Sequence, residues 1–213
     1  MTDSEFIDLV STNRVFAVVR ADSAEAAYRA AEAAIVGGIK LIEVALSTPG
    51  SYRVMSDLRH RYGDRTVIGA ESVVSFDQVD RAIKSGVQFI STPHTNGPLV
   101  DFCRKHRVPP MVGALTPTEV ATAWSLGAPL VTVFPASSVG GPGFVRAVTS
   151  RMTDAKIAAS GGVGPENIVE YFAAGAFAIA VGGRLFTRGD IQNQNYAAIA
   201  ERARGMLRLA GVA

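Results

Sequence analysis

The stretch "LVTVFPASSVGGPGF", residues 130–144, contains the pattern that decides the fold. It begins with a short apolar run typical of a buried strand, passes through a turn, and ends in a glycine-rich loop that opens a helix. A continuous apolar run favours a strand that is covered on both faces, as in a parallel sheet. The stretch therefore predicts one strand-loop-helix unit.

Apolar runs of this kind occur eight times along the chain. They are "VFAVVR" (15–20), "KLIEVAL" (40–46), "TVIGAES" (66–72), "QFISTPH" (88–94), "PMVGAL" (110–115), "LVTVFPA" (130–136), "KIAASGG" (156–162) and "FAIAVGGR" (177–184).

Stretches with helical periodicity lie between the apolar runs. Those over 23–38, 75–86 and 116–127 each have a hydroxyl residue as a cap and a glycine at the end, and 164–175 ends in the same way. Eight strands that alternate with helices predict an α/β fold, a (β/α)₈ TIM barrel. The alternative is an open doubly wound sheet, although no G-x-G-x-x-G follows the first strand.

Length and charge limit the classes of function. The chain has 213 residues, of which 48% are hydrophobic, so we expect one domain over 1–213. The 21 basic and 19 acidic residues give no electrostatic case for binding nucleic acid or a membrane surface. A single cysteine, Cys103, favours a reducing compartment, and the acidic start "MTDSEFIDLV" is unlike a signal peptide. We therefore expect a soluble, cytoplasmic protein.

Glu43 is the most unusual residue at a predicted strand end. It has apolar neighbours on both sides in "LIEVAL", so its carboxylate must be buried or close to burial. Such a group needs a partner or a raised pKa. Two interpretations follow: a structural glutamate bonded to a neighbouring strand, or a general acid/base poised by desolvation.

The last two predicted strands end in glycine pairs, which favour an anion site. Ser160-Gly161-Gly162 and Gly182-Gly183 allow backbone N–H groups to approach a phosphate, and barrels often bind phosphate after these two strands. Arg20 and Arg184 could neutralise the anion. The alternative is two ordinary glycine turns with solvated arginines.

These residues resemble those of the 2-keto-3-deoxy-6-phosphogluconate / 4-hydroxy-2-oxoglutarate aldolase family. The resemblance covers about residues 10 to 205. The matching stretches include "FAVVRADSAEAA", "GGIKLIEVALSTP", "FISTPH", "GALTPTEVATAWSLGA", "VFPASSVGGPGFVRAV" and "SGGVGPENIVEYFAAGAFAIAVG". The resemblance implies a (β/α)₈ barrel, a homotrimer, and class I aldol chemistry, in which a lysine forms a Schiff base with a 2-oxo acid and a glutamate moves protons.

The resemblance assigns a role to several residues of this chain. Glu43 matches the proton-carrying glutamate, and Pro93 and Phe134 match residues that line the pocket. Ser160-Gly161-Gly162 resembles a Thr-Gly-Gly that holds phosphate. The implied ligand is a small 2-oxo acid or a phosphorylated sugar acid.

The chain departs from the family pattern where the chemistry is expected. Thr132 stands at the position of the Schiff-base lysine, and threonine cannot form an imine. Ser47 stands where many members have an arginine near the substrate carboxylate. In "GAESV", Glu71 stands at a glycine position and Ser72 replaces a threonine. Gly183 replaces a serine, with Arg184 after it.

The chain has four lysines, and none is expected to replace the missing one. Lys40 and Lys156 begin strands at the opposite end of the barrel, and Lys84 and Lys105 lie on predicted outer helices.

Two hypotheses follow. The first is a lysine-independent lyase in which Glu43 is the general base and Arg20, Ser47, Ser72 and Ser160 belong to the substrate site. The second is a non-catalytic descendant that keeps the fold and a ligand pocket, or that acts in assembly.

A divalent metal is a less favoured variant of the first hypothesis. Glu43, Glu71 and His94 close three consecutive strands and have suitable donor atoms. Strand alternation, however, places Ser72 and Glu71 on opposite sides, so Glu71 is expected to point away unless the strand end is irregular. His94 is equally well explained as an ordinary loop histidine. We therefore predict no metal and no cofactor.

Overall fold

The computed structural model describes residues 1–63 and 65–212 and contains a closed barrel of eight parallel strands. Each strand pairs with its neighbours in chain order, and the eighth pairs with the first. The strands are β1 (Val15–Val19), β2 (Leu41–Ala45), β3 (Val67–Glu71), β4 (Phe89–Thr92), β5 (Pro110–Ala114), β6 (Leu130–Val133), β7 (Ile157–Ser160) and β8 (Ala178–Val181). The predicted (β/α)₈ barrel is confirmed, and the open doubly wound sheet is excluded.

Helices alternate with the strands on the outside of the barrel. They are α1 (Asp3–Asn13), α2 (Ala24–Val36), α3 (Ser51–Tyr62), α4 (Phe76–Lys84), α5 (Gly97–Lys105), α6 (Pro117–Ser125), α7 (Pro142–Thr149), α8 (Ile168–Ala173), α9 (Arg188–Gln192) and α10 (Tyr196–Leu209), with a 3₁₀ turn over Ala136–Val139. The hydroxyls of Ser23, Ser75 and Thr116 accept backbone N–H groups at the starts of α2, α4 and α6, as the cap pattern predicts.

The helix predicted over 164–175 is shorter than expected. It begins only at Ile168, because the preceding residues form a loop held by the side chain of Asn167. That side chain accepts the Gly164 N–H at 3.0 Å and donates to the Gly162 carbonyl at 2.9 Å. The glycines after β7 therefore do not open directly into a helix.

Alternation along each strand divides the core into two parts. Val44, Val112 and Val133 are among the strand residues that pack outward against the helices. The inward positions of the strands form a separate cluster inside the barrel. Its strand residues include Phe16, Leu41, Val67, Phe89, Met111, Leu130, Ala158 and Ala178.

Helix α1 closes the amino-terminal end of the barrel, and the sequence analysis did not predict it. The Phe6 ring is fully buried and lies 5.2 Å from the Phe89 ring and 6.3 Å from the Phe16 ring. Gly69 makes room for this packing, since a Cβ atom there would lie 2.3 Å from the Phe89 ring. Aromatic side chains therefore fill this end of the barrel.

None of the helices within residues 1–63 and 65–212 combines the length and the apolar character that crossing a bilayer requires.

Candidate active site

Glu43 lies inside the barrel, at the third of the five positions of β2. It pairs with Val18 of β1 on one side and Gly69 of β3 on the other, and it shares its inward face with Leu41 of the interior cluster. Only 1% of the residue is exposed to solvent. Within the described part of the chain, its Oε1 atom has no hydrogen-bond partner. A structural glutamate bonded on all sides would not leave this atom unpaired.

Burial has a large effect on the protonation of Glu43. Desolvation is the main cause that raises its pKa, and the nearby negative charge of Glu71 raises it further. The Ser91 hydroxyl acts in the opposite direction, and the net result is a pKa of about 8. Glu43 can therefore gain or lose a proton near neutral pH, as a general acid/base must.

Thr132 occupies an inward position on β6, which lies across the barrel from β2. It pairs with Gly113 of β5 and Ala158 of β7, and it is 6% exposed. Its hydroxyl is buried and, over residues 1–63 and 65–212, it also has no hydrogen-bond partner. Among the described residues, β2 and β6 thus each place one polar atom without a hydrogen-bond partner inside the barrel.

The four lysines lie away from this end of the barrel. Lys40 and Lys156 precede β2 and β7, at the amino-terminal ends of the strands. Lys84 and Lys105 end α4 and α5 on the outside, and the Lys84 ammonium pairs with Asp80 at 2.5 Å. In the described structure none of the four therefore lies beside Glu43 and Thr132 inside the barrel.

Glu71 points toward the interior, which corrects the expectation that it points away. Val67, Gly69 and Glu71 are alternate residues of β3, so their side chains share the inward face of the strand. The Glu71 carboxylate lies 3.0 Å from the guanidinium of Arg20. The strand end is irregular at Ser72, whose φ of 66° is left-handed, and the Ser72 hydroxyl donates to Glu71 at 2.5 Å. Ser72, predicted to contact substrate, holds Glu71 in this structure.

A cleft of about 570 Å³ opens beside this group, between the end of β1 and the segment after β8. Arg20, Gly182 and Gly183, three of the residues predicted for an anion site, line it. Arg188, at the start of α9, lines it as well and was missed by the sequence analysis. The complete lining is Val18, Arg20, Ala21, Asp22, Gly182, Gly183, Phe186, Arg188, Ile191 and Gln192.

Arg184 is placed differently from the expectation. Its guanidinium pairs with the Glu166 carboxylate at 2.8 Å, and it does not line the cleft. In the described structure no carboxylate is paired with Arg188, so Arg188 is the better placed of the two arginines after β8 to meet an anion.

The Ser160-Gly161-Gly162 segment forms a tight loop outside the lining of this cleft. Gly161 and Gly162 have φ values of 83° and 76°, which glycine adopts without strain. The Gly161 carbonyl accepts the Ser137 N–H at 3.1 Å, and a Cβ atom at Gly162 would lie 2.3 Å from the Ser137 hydroxyl. The loop therefore packs against the 3₁₀ turn after β6.

The remaining predicted residues lie at the rim. Ser47, Pro93 and His94 are exposed, and Phe134 is 47% exposed beside the Gly161 loop. Across the described residues, no group of three or more His, Cys, Asp or Glu side chains is arranged to hold a metal ion. Glu43, Glu71 and His94 thus do not form the triad considered for a divalent metal.

Comparison with known proteins finds aldolases among the chain's relatives. A family model described as "Aldolase: KDPG and KHG aldolase" matches residues 7–202. A 2-dehydro-3-deoxy-phosphogluconate aldolase of Treponema pallidum is 32% identical over 75% of this chain and 76% of its own. A 2-dehydro-3-deoxy-6-phosphogalactonate aldolase of Escherichia coli K12 is 29% identical over 83% of this chain and 86% of its own.

The fold also matches a solved structure of an aldolase. The KDPG aldolase of Legionella pneumophila, captured with pyruvate as a covalent carbinolamine intermediate, superposes with a TM-score of 0.86. It is 24% identical and the match covers 94% of this chain and 97% of the other. This likeness supports the barrel fold.

The burial of Glu43 predicts a specific dependence of stability on pH. Between the ordinary pKa of 4.5 and about 8, native Glu43 keeps a proton that the unfolded chain has lost. Raising the pH through this interval therefore lowers the free energy of unfolding, by at most on the order of 1 kcal/mol per pH unit. Glu43→Gln should remove this component, measured by urea unfolding from pH 5 to pH 9.

The matched control is Glu166→Gln, which neutralises an exposed glutamate and should keep the parent slope. Equal slopes for the parent and Glu43→Gln would show that the Glu43 carboxyl is not titrating with a raised pKa.

Proposed function

Because the chain belongs to the KDPG and KHG aldolase family, we propose that it is a carbon-carbon lyase that cleaves a small phosphorylated 2-oxo acid with Glu43 as general acid/base and without a Schiff-base lysine. The observation that carries the proposal is the Glu43 carboxyl, buried inside the barrel with an unpaired oxygen and a pKa of about 8. Its family relatives are named as aldolases of phosphorylated 2-oxo sugar acids.

In the proposed cleavage, ionised Glu43 takes the proton of the hydroxyl at C4 of the substrate. The C4 oxygen forms a carbonyl as the C3–C4 bond breaks, and the bonding electrons pass to C3 and the C2 oxygen as an enolate. Protonated Glu43 then returns its proton to C3, which yields the smaller 2-oxo acid. The same residue thus serves as base and then as acid.

An enolate without an imine must be stabilised by hydrogen bonds. The Thr132 hydroxyl is buried, inward-facing and, within the described residues, without a partner, so it can donate to the C2 oxygen. A C2 carbonyl that accepts a hydrogen bond from a neutral hydroxyl is a weaker electron acceptor than a protonated imine, because negative charge builds up on its oxygen. We therefore expect slower cleavage than an imine would give.

The cleft beside the barrel mouth supports binding of the phosphate. Gly182 and Gly183 line it with backbone, and Arg188 contributes a guanidinium, which suits planar, bidentate contact with phosphate oxygens. Asp22 also lines the cleft, so Arg188 is needed to make the cleft favourable for an anion.

A second candidate function, ligand binding without turnover, is favoured by two observations. Thr132 and the remote lysines leave no residue for imine chemistry, and Glu71 occupies Arg20 at 3.0 Å. The activity of Glu43 variants separates the two candidates.

Glu43→Gln should lower the release of pyruvate from 2-keto-3-deoxy-6-phosphogluconate by at least about 100-fold, since a general acid/base contributes this much. In the parent, kcat/KM should rise with pH up to about 8 and then level off, because the carboxylate is the active form. Glu166→Gln should leave both the rate and the profile unchanged. A parent without turnover, but with measurable binding of the sugar acid, would favour the non-catalytic candidate.

Borohydride reduction in the presence of pyruvate should leave the mass of the parent unchanged, because Thr132 cannot form an imine. Thr132→Lys should trap pyruvate, since burial lowers the pKa of a lysine and frees its amine for attack. Thr132→Gln, with a polar group but no amine, is the control and should not trap. Trapping by the parent would mean that one of the four native lysines reaches a carbonyl.

Arg188→Gln should weaken the binding of inorganic phosphate and raise KM for the phosphorylated sugar acid about tenfold, as expected for a charged hydrogen bond. The control is Arg184→Gln, which removes the same charge from a nearby arginine. Native Arg184 pairs with Glu166 outside the cleft, so this variant should change phosphate binding and KM little. Calorimetric titration and steady-state kinetics measure both. Loss of phosphate binding in Arg184→Gln alone would move the anion site away from the cleft.

A further inference from the structure

Arg20 is shared between two parts of the molecule. Its side chain lines the cleft with Gly182 and Gly183, and the same guanidinium lies 3.0 Å from the Glu71 carboxylate. The Arg20 side chain is 60% exposed, so a ligand that enters from solvent can reach it. An anion that binds Arg20 in the cleft therefore competes with the Glu71 carboxylate for the guanidinium.

The register of the strands explains how Glu71 reaches a residue on a strand that is not its neighbour. Ala45 of β2 pairs with Glu71 of β3, and continuing the register Val19 to Val44 by one residue sets Arg20 opposite Ala45. The methyl group of Ala45 is small and buried, which leaves the two longer side chains able to meet above it. The ion pair thus bridges the end of β2.

Glu71 is held in this position and is not merely adjacent to Arg20. The Ser72 hydroxyl donates to its other carboxylate oxygen at 2.5 Å, and the left-handed φ of 66° at Ser72 accompanies this arrangement. The Glu71 backbone carbonyl also accepts the Leu46 N–H at 3.0 Å. The Glu71 side chain is 18% exposed, whereas the Arg20 side chain is 60% exposed.

We propose that Glu71 is an internal competitor for Arg20, with which an incoming anionic ligand must compete for the guanidinium, and that it thereby sets the affinity and selectivity of the cleft. The inference rests on the proposed function only in assigning the cleft to an anionic group. The Glu71 carboxylate accepts from Nη2 of Arg20, so a ligand that places two oxygens on this guanidinium competes with Glu71 for it. Weakly anionic ligands are thus rejected in favour of those that contact Arg20 and Arg188 together.

The exchange is feasible because the existing pair is weak. Exposed ion pairs contribute little to stability, since solvent screens them and long side chains lose entropy. A dianionic phosphate that offers two oxygens to a guanidinium is a stronger partner than one carboxylate oxygen. Glu71 therefore lowers the affinity without closing the site.

The test is calorimetric titration of inorganic phosphate into four variants: the parent, Glu71→Gln, Arg20→Gln and the double variant. Glu71→Gln should bind phosphate about three- to fivefold more tightly than the parent, because Arg20 no longer has a competing carboxylate. In the Arg20→Gln background, the same Glu71→Gln change should give less than a twofold gain. Glu166→Gln, which releases Arg184 outside the cleft in the same way, is the matched control and should not tighten binding.

Equal or weaker phosphate binding by Glu71→Gln would overturn the inference. A gain that persists in full without Arg20 would also overturn it, since it would mean that Glu71 acts by general repulsion. Thermal unfolding of each variant shows whether the fold is intact, and Glu71→Asp provides a conservative variant if Glu71→Gln is unfolded. Failure of the proposed function has a different signature, in which Glu43→Gln does not alter turnover while the Arg20-dependent gain remains.

Discussion

Closure of the eight parallel strands is the constraint on which the rest of the structure depends. In a closed barrel every second side chain must point inward, where there is no solvent. Phe6, Phe16 and Phe89 fill the amino-terminal end of that interior. The inward positions that remain lie at the carboxyl ends of the strands, and a polar group placed there is dehydrated by the barrel itself. The raised pKa of Glu43 follows from this position.

The fold could be predicted from sequence because its signals are local. Each strand of the barrel is a short apolar run, and hydroxyl caps such as Ser75 and Thr116 mark helices within a few residues. The inward burial of Glu43 was equally predictable, since its neighbours along the strand are apolar. Helix α1 was missed because its role, closing the barrel through Phe6, depends on contacts with distant strands.

The details of the site were less predictable, because they depend on contacts between distant residues. Arg20 and Glu71 are 51 positions apart. Arg20 follows β1 and Glu71 ends β3, with β2 between them, so no local pattern pairs the two residues. The irregular backbone at Ser72 reversed the expected roles of two adjacent residues. The sequence alone does not distinguish Arg184 from Arg188, whereas the structure pairs Arg184 with Glu166 and places Arg188 in the lining of the cleft. The only signal for Arg188 in the sequence was its position four residues beyond Arg184, which follows Gly182-Gly183.

Two departures from the family pattern act on the same group in the same direction. An ammonium at position 132 would lower the pKa of Glu43, and Thr132 offers no such charge. Glu71, at a position where the family resemblance gives glycine, adds a negative charge that raises the pKa further. The result is a carboxylate that is less abundant at neutral pH but a stronger base once ionised. In the proposed reaction a stronger base partly offsets the absence of an imine, so the two departures that the resemblance implies, at Thr132 and Glu71, form one coherent change.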